Sequence, residues 1–219
     1  MEVIAPYPID ERMVVMFGKV AADLLGLSDI GSVIRPENYD KVDADDYVMH
    51  EDNEKIYFLI KSKTDEYCFT NLALIHLDGT SAVSKKRTLR RYPYYKYRIA
   101  NVALETAGTV DMDVEIKFSL GDQIYSIDVH KKHLEEVKDL YKSLLKIGEI
   151  TAENETKLDN ARSSLELAST ALGRIAKIEA NLVEQFNALN KSAFDWLTEN
   201  QKQYRVKDFG QVFERYIHF

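Results

Sequence analysis

Cysteine is nearly absent: Cys68 is the only one in 219 residues, so no disulfide can form within the chain. A lone thiol fits a reducing compartment. No stretch of eighteen apolar residues occurs, which leaves no helical membrane span to expect. Met1 to Ile9 lacks a basic region followed by an apolar one, so no secretory signal is expected. These absences make the cytoplasm the expected location, with peripheral attachment to a membrane still open. The patterns of common chemistry are missing as well: a Gly-rich phosphate loop, a Gly-x-Ser-x-Gly elbow and His-Glu-x-x-His. His130 and His133 are spaced for metal but have no third ligand, and Asp43, Asp45 and Asp46 lack the glycine and glutamate of a calcium loop. The expectation is a protein without catalytic residues, cofactor or metal.

Charge of one sign is missing locally. Gly79 to Leu104 contains no acid, yet Lys85, Lys86, Arg87, Arg90, Arg91, Lys96 and Arg98 lie there; residues 1–55 carry 13 acids against 5 bases. A net charge of -7 disfavours general nucleic-acid binding. An acidic start beside a basic middle is self-complementary.

What is present is a long apolar seam. Leu158, Ala161, Leu165, Ala168, Leu172, Ile175, Leu182, Phe186, Leu189, Ala193 and Trp196 recur at steps of three and four, interrupted by Glu179. This is the spacing of a helix packed lengthwise on another helix. As one helix it would extend ~57 Å at 1.5 Å per residue. So long a seam must be covered or stay wet, and self-association is the first expectation.

The remaining helical signals are shorter. Met13, Val14, Phe17, Val20, Ala21, Leu24 and Leu25 make one face of a helix capped by Asp10 and stopped by Gly26. Residues 28–53 read as an acidic linker. Lys132 to Ile147 form an amphipathic helix ended by Gly148, and Thr151 opens the long helix, giving a helical hairpin with a four-residue turn. Tyr204 to Phe219 is short and aromatic, with Asp208 as cap, and must dock to be stable.

Between these, the period is that of strands: Ile56–Ile60, Glu66–Thr70, Leu74–Leu77, Arg87–Tyr92, Tyr97–Thr106, Asp113–Leu120 and Gln123–His130. Asp78-Gly79 is a turn signal. Seven strands without an intervening helix imply an antiparallel barrel or sandwich. Asp111, Asp113 and Glu115 share one strand face, most simply a solvated one. Cys68 in its strand reads as a small buried hydrophobe.

The residues resemble the bacterial pleckstrin-homology-like family in three blocks. Phe69-Thr70-Asn71-Leu72-Ala73-Leu74-Ile75 is similar to its Phe-Thr-Asn-x-x-Leu-Ile strand pair, although Leu72 and Ala73 replace a common basic pair. Tyr92-Pro93-Tyr94 with Ile99, and Glu105-Thr106-Ala107-Gly108 before Asp113 to Ile116, are similar to its next two blocks. The tail from Thr151 resembles the YvbH-type extension, regarded in that family as an oligomerisation region. The resemblance implies an α+β fold: a seven-stranded antiparallel pleckstrin-homology-like barrel capped by a C-terminal helix, then a helical hairpin, with the amphipathic helix in front. The expected division is 1–50, 51–148 and 149–219. The family implies no enzymatic activity, symmetric homo-oligomers and a link to cell-envelope stress.

The functional expectation is a non-enzymatic scaffold. It would self-assemble through Leu158, Leu165, Leu172, Ile175, Leu182, Phe186, Leu189 and Trp196, and present the barrel to a protein partner not yet identified. The alternative is a peripheral module that binds anionic lipid through Lys85, Lys86, Arg87, Arg90 and Arg91.

Overall fold

The computed structural model describes residues 29–79, 87–106, 113–175 and 181–219. The expected helix from Asp10 to Leu25 lies outside them. The apolar alternation over residues 56–130 yields strands β2 (Ile56–Lys61), β3 (Asp65–Thr70), β4 (Ala73–Gly79), β5 (Arg87–Pro93), β6 (Ile99–Glu105), β7 (Asp113–Leu120) and β8 (Gln123–His130). They follow a further strand, β1 (Ser32–Val33). In β7, Val114, Ile116, Phe118 and Leu120 are buried while their neighbours are half-exposed, the period of two that a half-buried strand requires.

The expected single seven-stranded barrel is corrected to two antiparallel sheets, in the orders β1-β2-β3-β4-β5 and β6-β7-β8. Residue 31 stitches one sheet to the other. The Gly31 N–H donates to Asp128 O (2.8 Å) and His130 N–H donates to Gly31 O (2.9 Å), while Ser32 and Val33 pair with Lys61 and Ile60. A Cβ on Gly31 would lie 2.6 Å from Ile60 Cγ2, so only glycine passes between the sheets. A bulge between Ala100 and Ala103 bends β6 and holds Asn101 in the left-handed region, φ 53°.

Residues 28–53, expected as an acidic linker, are packed from residue 31 onward. Of three 3-10 turns, Pro36–Lys41 lies over β2 and Asp43–Tyr47 over β3 and β4, and His50–Asp52 follows. Val42, Ala44 and Val48 join Leu59, Cys68, Ile75 and Leu77 in a second apolar cluster. Buried Glu66 of β3 ties the segment down, accepting from the Ala44 N–H (2.7 Å) and from Lys61 (2.5 Å).

Helix α1 (Leu134–Ile175) runs 42 residues and packs its first half on β6, β7 and β8. The expected hairpin turn at Gly148 is therefore corrected: the helix passes straight through it. Gly148 is small because β6 presses there; a Cβ would sit 2.7 Å from the carbonyl oxygen of Ile99. The single helix expected from Leu158 to Trp196 is corrected as well. It is interrupted after Ile175, and α2 (Leu182–Tyr204) returns along α1, with Tyr204 near Lys157 and Leu189 near Leu165 and Leu172. A short helix, α3 (Gly210–Tyr216), follows.

Candidate assembly surface and C-terminal clasp

The amphipathic stretch Lys132 to Ile147 and the seam from Leu158 have opposite settings. Val137, Leu140, Leu144 and Ile147 are fully buried in the main core. Beyond Ala161 no described residue is buried until Phe209. In that interval Leu167 (73%), Val183 (70%), Phe194 (68%), Phe186 (65%), Leu172 (49%), Leu189 (47%) and Trp196 (47%) stand exposed. Leu165, Ala168, Leu172, Phe186, Leu189 and Ala193 line a groove between α1 and α2 of about 550 Å³.

The eight residues expected to carry assembly thus have different settings. Leu172, Phe186, Leu189 and Trp196 are exposed and Leu165 is half-buried in the groove. Leu158 is half-buried at the hairpin's base, lining a cavity with Tyr94 and Val206. Of Ile175 and Leu182 only the backbone is described. Leu167, Val183 and Phe194 lie off the three-four series, and the heptad pattern missed them; their signal was an apolar residue on what should have been a wet face.

The chain's end is held by the Phe-Thr-Asn block. Asn71 accepts the Lys55 N–H at Oδ1 (2.8 Å) and donates through Nδ2 to Asp208 Oδ2 (2.8 Å), while its backbone carbonyl accepts from the Phe209 N–H (2.8 Å). Asp208 Oδ1 in turn accepts the Gly210 N–H (2.8 Å), which anchors the start of α3. Phe209 and Phe213 then enter the core beside Tyr94, and Phe213 stacks on Tyr57 with centroids 5.4 Å apart. The Tyr57 hydroxyl donates to Glu214 (2.8 Å); partial burial and this carboxylate push its pKa up to about 12. Thr70 is spent locally: its hydroxyl donates to buried Glu54 (2.5 Å) and accepts the N–H groups of Leu72 and Ala73.

The basic strand β5 faces acids of the same chain. Arg87 pairs with Asp43, Arg90 with Asp78 (2.8 Å) and Arg91 with Glu54 (2.9 Å), whose side chain is wholly buried. Lys85 and Lys86 lie outside the described residues. Cys68 is fully buried, and burial, reinforced by the Glu54 and Glu66 carboxylates, drives its thiol pKa well up, which leaves an inert thiol. The His130 ring nitrogen Nδ1 accepts the Lys132 N–H (3.2 Å), and Glu115 accepts from Ser126 and pairs with Lys117; Asp111 is outside the described residues. No group of three or more His, Cys, Asp or Glu among the described residues is arranged to hold a metal ion.

Two antiparallel sheets, a helix packed across the second of them and a projecting helical hairpin define a pleckstrin-homology-like domain carrying an assembly element. The family model described as "Bacterial PH domain" matches residues 24–148, more than half of the chain, and that described as "YvbH-like oligomerisation region" matches residues 159–218. The chain belongs to the bacterial PH domain family and carries the YvbH-like extension. It is 60% identical over 202 residues to the uncharacterized protein YvbH of Bacillus subtilis (strain 168), covering 92% of this chain and 99% of that protein. It is also similar to the crystal structure of a PH-domain-containing protein from Exiguobacterium sibiricum 255-15. There the identity is 56% and the TM-score 0.81, over 87% of this chain and 100% of the other.

Proposed function

We propose that the protein is a non-enzymatic scaffold whose hairpin joins copies of the chain and whose sheets are presented for protein contact. The observation that carries this reading is the exposed row on α1 and α2. Seven large apolar side chains lie on a hairpin of two long helices, beyond the reach of the chain's own core. Covering a Leu or Phe side chain contributes about 1.5–3 kcal/mol, so a shared interface over this row outweighs the several kcal/mol that association costs. The match to an oligomerisation region over residues 159–218 supports the same surface. The family's link to cell-envelope stress would make the partner a component of that response. Lipid binding through residues 85–91 is weakened as a reading, because Arg87, Arg90 and Arg91 already face Asp43, Asp78 and Glu54.

Sedimentation velocity of the full chain tests the proposal. A discrete oligomer is expected, and Phe186→Glu with Leu189→Glu should convert it to a folded monomer. A wild-type chain that sediments as a monomer at micromolar concentration would defeat it. Truncation at Gly148 is the wrong control, since it strips Phe209 and Phe213 from the core.

A further inference from the structure

β5 ends the five-stranded sheet, and among the described residues no strand lies on its other side. The register fixes which of its backbone groups stay open. Tyr94 N–H donates to Leu72 O (3.1 Å), one step past the Pro93–Ala73 pair, and Gly79 N–H donates to Thr64 O (3.0 Å), away from Arg87 opposite it. In an antiparallel ladder each residue aims both backbone groups to one side, and its neighbours aim theirs to the other. Thr88, Arg90 and Tyr92 therefore bond to β4, while Arg87, Leu89 and Arg91 each direct an N–H and a C=O off the edge of the sheet. No backbone group of the described residues bonds to them. Pro93 stands at the next such position, where its missing N–H costs no ladder bond.

The side chains of the same three residues share one face. Arg87, Leu89 and Arg91 lie opposite Gly79, Leu77 and Ile75, and Leu77 and Ile75 belong to the second apolar cluster, beneath the 3-10 turns. Residues 43–49 cross this face. Asp43 pairs with Arg87 at one end, and at the other the Met49 N–H donates to Glu54 (2.8 Å), the partner of Arg91. Leu89 stands between the two arginines, and Leu89, Tyr47 and Met49 are all exposed. An open row of backbone groups thus runs beside an apolar ledge with a cation at either end.

We infer that this edge binds an extended acidic segment of a partner protein, added antiparallel to β5 as a further strand, with an apolar residue opposite Leu89 and acidic residues opposite Arg87 and Arg91. Main-chain bonds hold such a strand, and alternate side chains select it. A guanidinium has five donors, so the one carboxylate paired with exposed Arg87 does not exhaust it. A second copy of β5 is a poor occupant. Pairing about Leu89 would set Arg87 against Arg91 twice, and like charges directly opposite are destabilising. The arginines and Pro93 thus guard the edge against its own kind and leave it open to an acidic strand. The inference rests on the reading that the sheets are presented for protein contact; it does not need assembly through the hairpin.

Fluorescence polarisation of a labelled peptide, Ser-Glu-Thr-Val-Thr-Glu-Ser, titrated with the full chain tests it, the valine being the residue opposite Leu89. Saturable binding is expected. Methylating the valine nitrogen, which faces β5, should weaken it by about tenfold or more, and methylating the nitrogen of the next threonine, which faces solvent, should leave it unchanged. Lysine in place of both glutamates should weaken binding as well. Leu89→Pro removes an outward N–H without touching a bond to β4 and should abolish binding. If that variant loses its melting transition, the methylated peptides decide alone, since they leave the protein unaltered. The chain with Phe186→Glu and Leu189→Glu should bind the peptide like the wild type, so a failure of assembly and a failure at this edge are seen separately. No binding, equal loss with both methylated peptides, undiminished binding of the lysine peptide, or a wild-type oligomer that Leu89→Pro dissociates, the edge then being filled by another copy, overturns the inference.

Discussion

The two halves of α1 have nearly the same pattern and opposite environments. From Val137 through Leu140, Leu144, Ile147 and Thr151, then on through Leu158, Ala161, Leu165, Ala168, Leu172 and Ile175, the three-four spacing stays in phase. The first half meets the β6-β7-β8 sheet and buries its apolar face there; the second packs on α2 and stays half-wet. An apolar stripe therefore states that a helix needs a partner, while the partner's identity depends on what lies within reach.

The sharpest contrast is between Leu144 and Leu172. Leu144→Ala opens a hole in a fully enclosed core and should lower stability by about 2–5 kcal/mol, read from urea denaturation. Leu172→Ala, at an exposed position, should leave the stability of the isolated chain within about 0.5 kcal/mol and instead loosen assembly, read by sedimentation at falling concentration. Equal losses in denaturation would erase the distinction between the halves.

The two helical glycines should differ in sign. Glycine to alanine inside a helix ordinarily gains about 0.5–1 kcal/mol. Gly173→Ala meets nothing within 4 Å and should show a gain of up to that size in thermal melting. Gly148→Ala drives a methyl against the Ile99 carbonyl, a backbone atom that cannot swing aside, and should instead lose about 1–3 kcal/mol.

Asn71→Ala probes the clasp that lets the chain's end close on the domain after the wet hairpin. It removes the side-chain bonds to Lys55 and Asp208 and should cost about 1–3 kcal/mol. Hydrogen exchange should show faster opening of Phe209 to Tyr216 than of β7.

The smallest effect is one of pH. The hydroxyls of Tyr57, Tyr67 and Tyr125 all titrate above the ordinary value of 10, chiefly through burial. A raised pKa means that the folded chain holds these protons more tightly than the unfolded one. Their contribution is thus full below about pH 10 and shrinks as pH climbs from there towards 12 and beyond. Tyr57→Phe should flatten the part of this decline that lies between about 10 and 12, followed by chemical denaturation across that range.

Much of the fold could be read directly. β7 and β8 fall where alternation placed them, because one face of each is buried and the other wet, and the aromatic tail docks because seven residues of helix cannot stand alone. The hairpin turn could not be located. Ile175 and Leu182 are seven residues apart, so a break between them leaves the heptad count intact, while Gly148 offered a false stop. β1 has two residues, too few to show any period, yet it joins the sheets. Asp208 was expected to cap α3, but its bond to Asn71 spans 137 positions and has no local signature.

Composition and periodicity by themselves settled the element types, the antiparallel strands and the need of the tail's helices for cover, since all of these follow from neighbours three, four or two residues apart. Only the tertiary structure decided that Gly148 is a point of contact and not a stop, and that β5 spends its arginines on Asp43, Asp78 and Glu54. Those outcomes depend on which atoms approach across long stretches of chain, and a distance of that kind is fixed by packing, which no local pattern encodes.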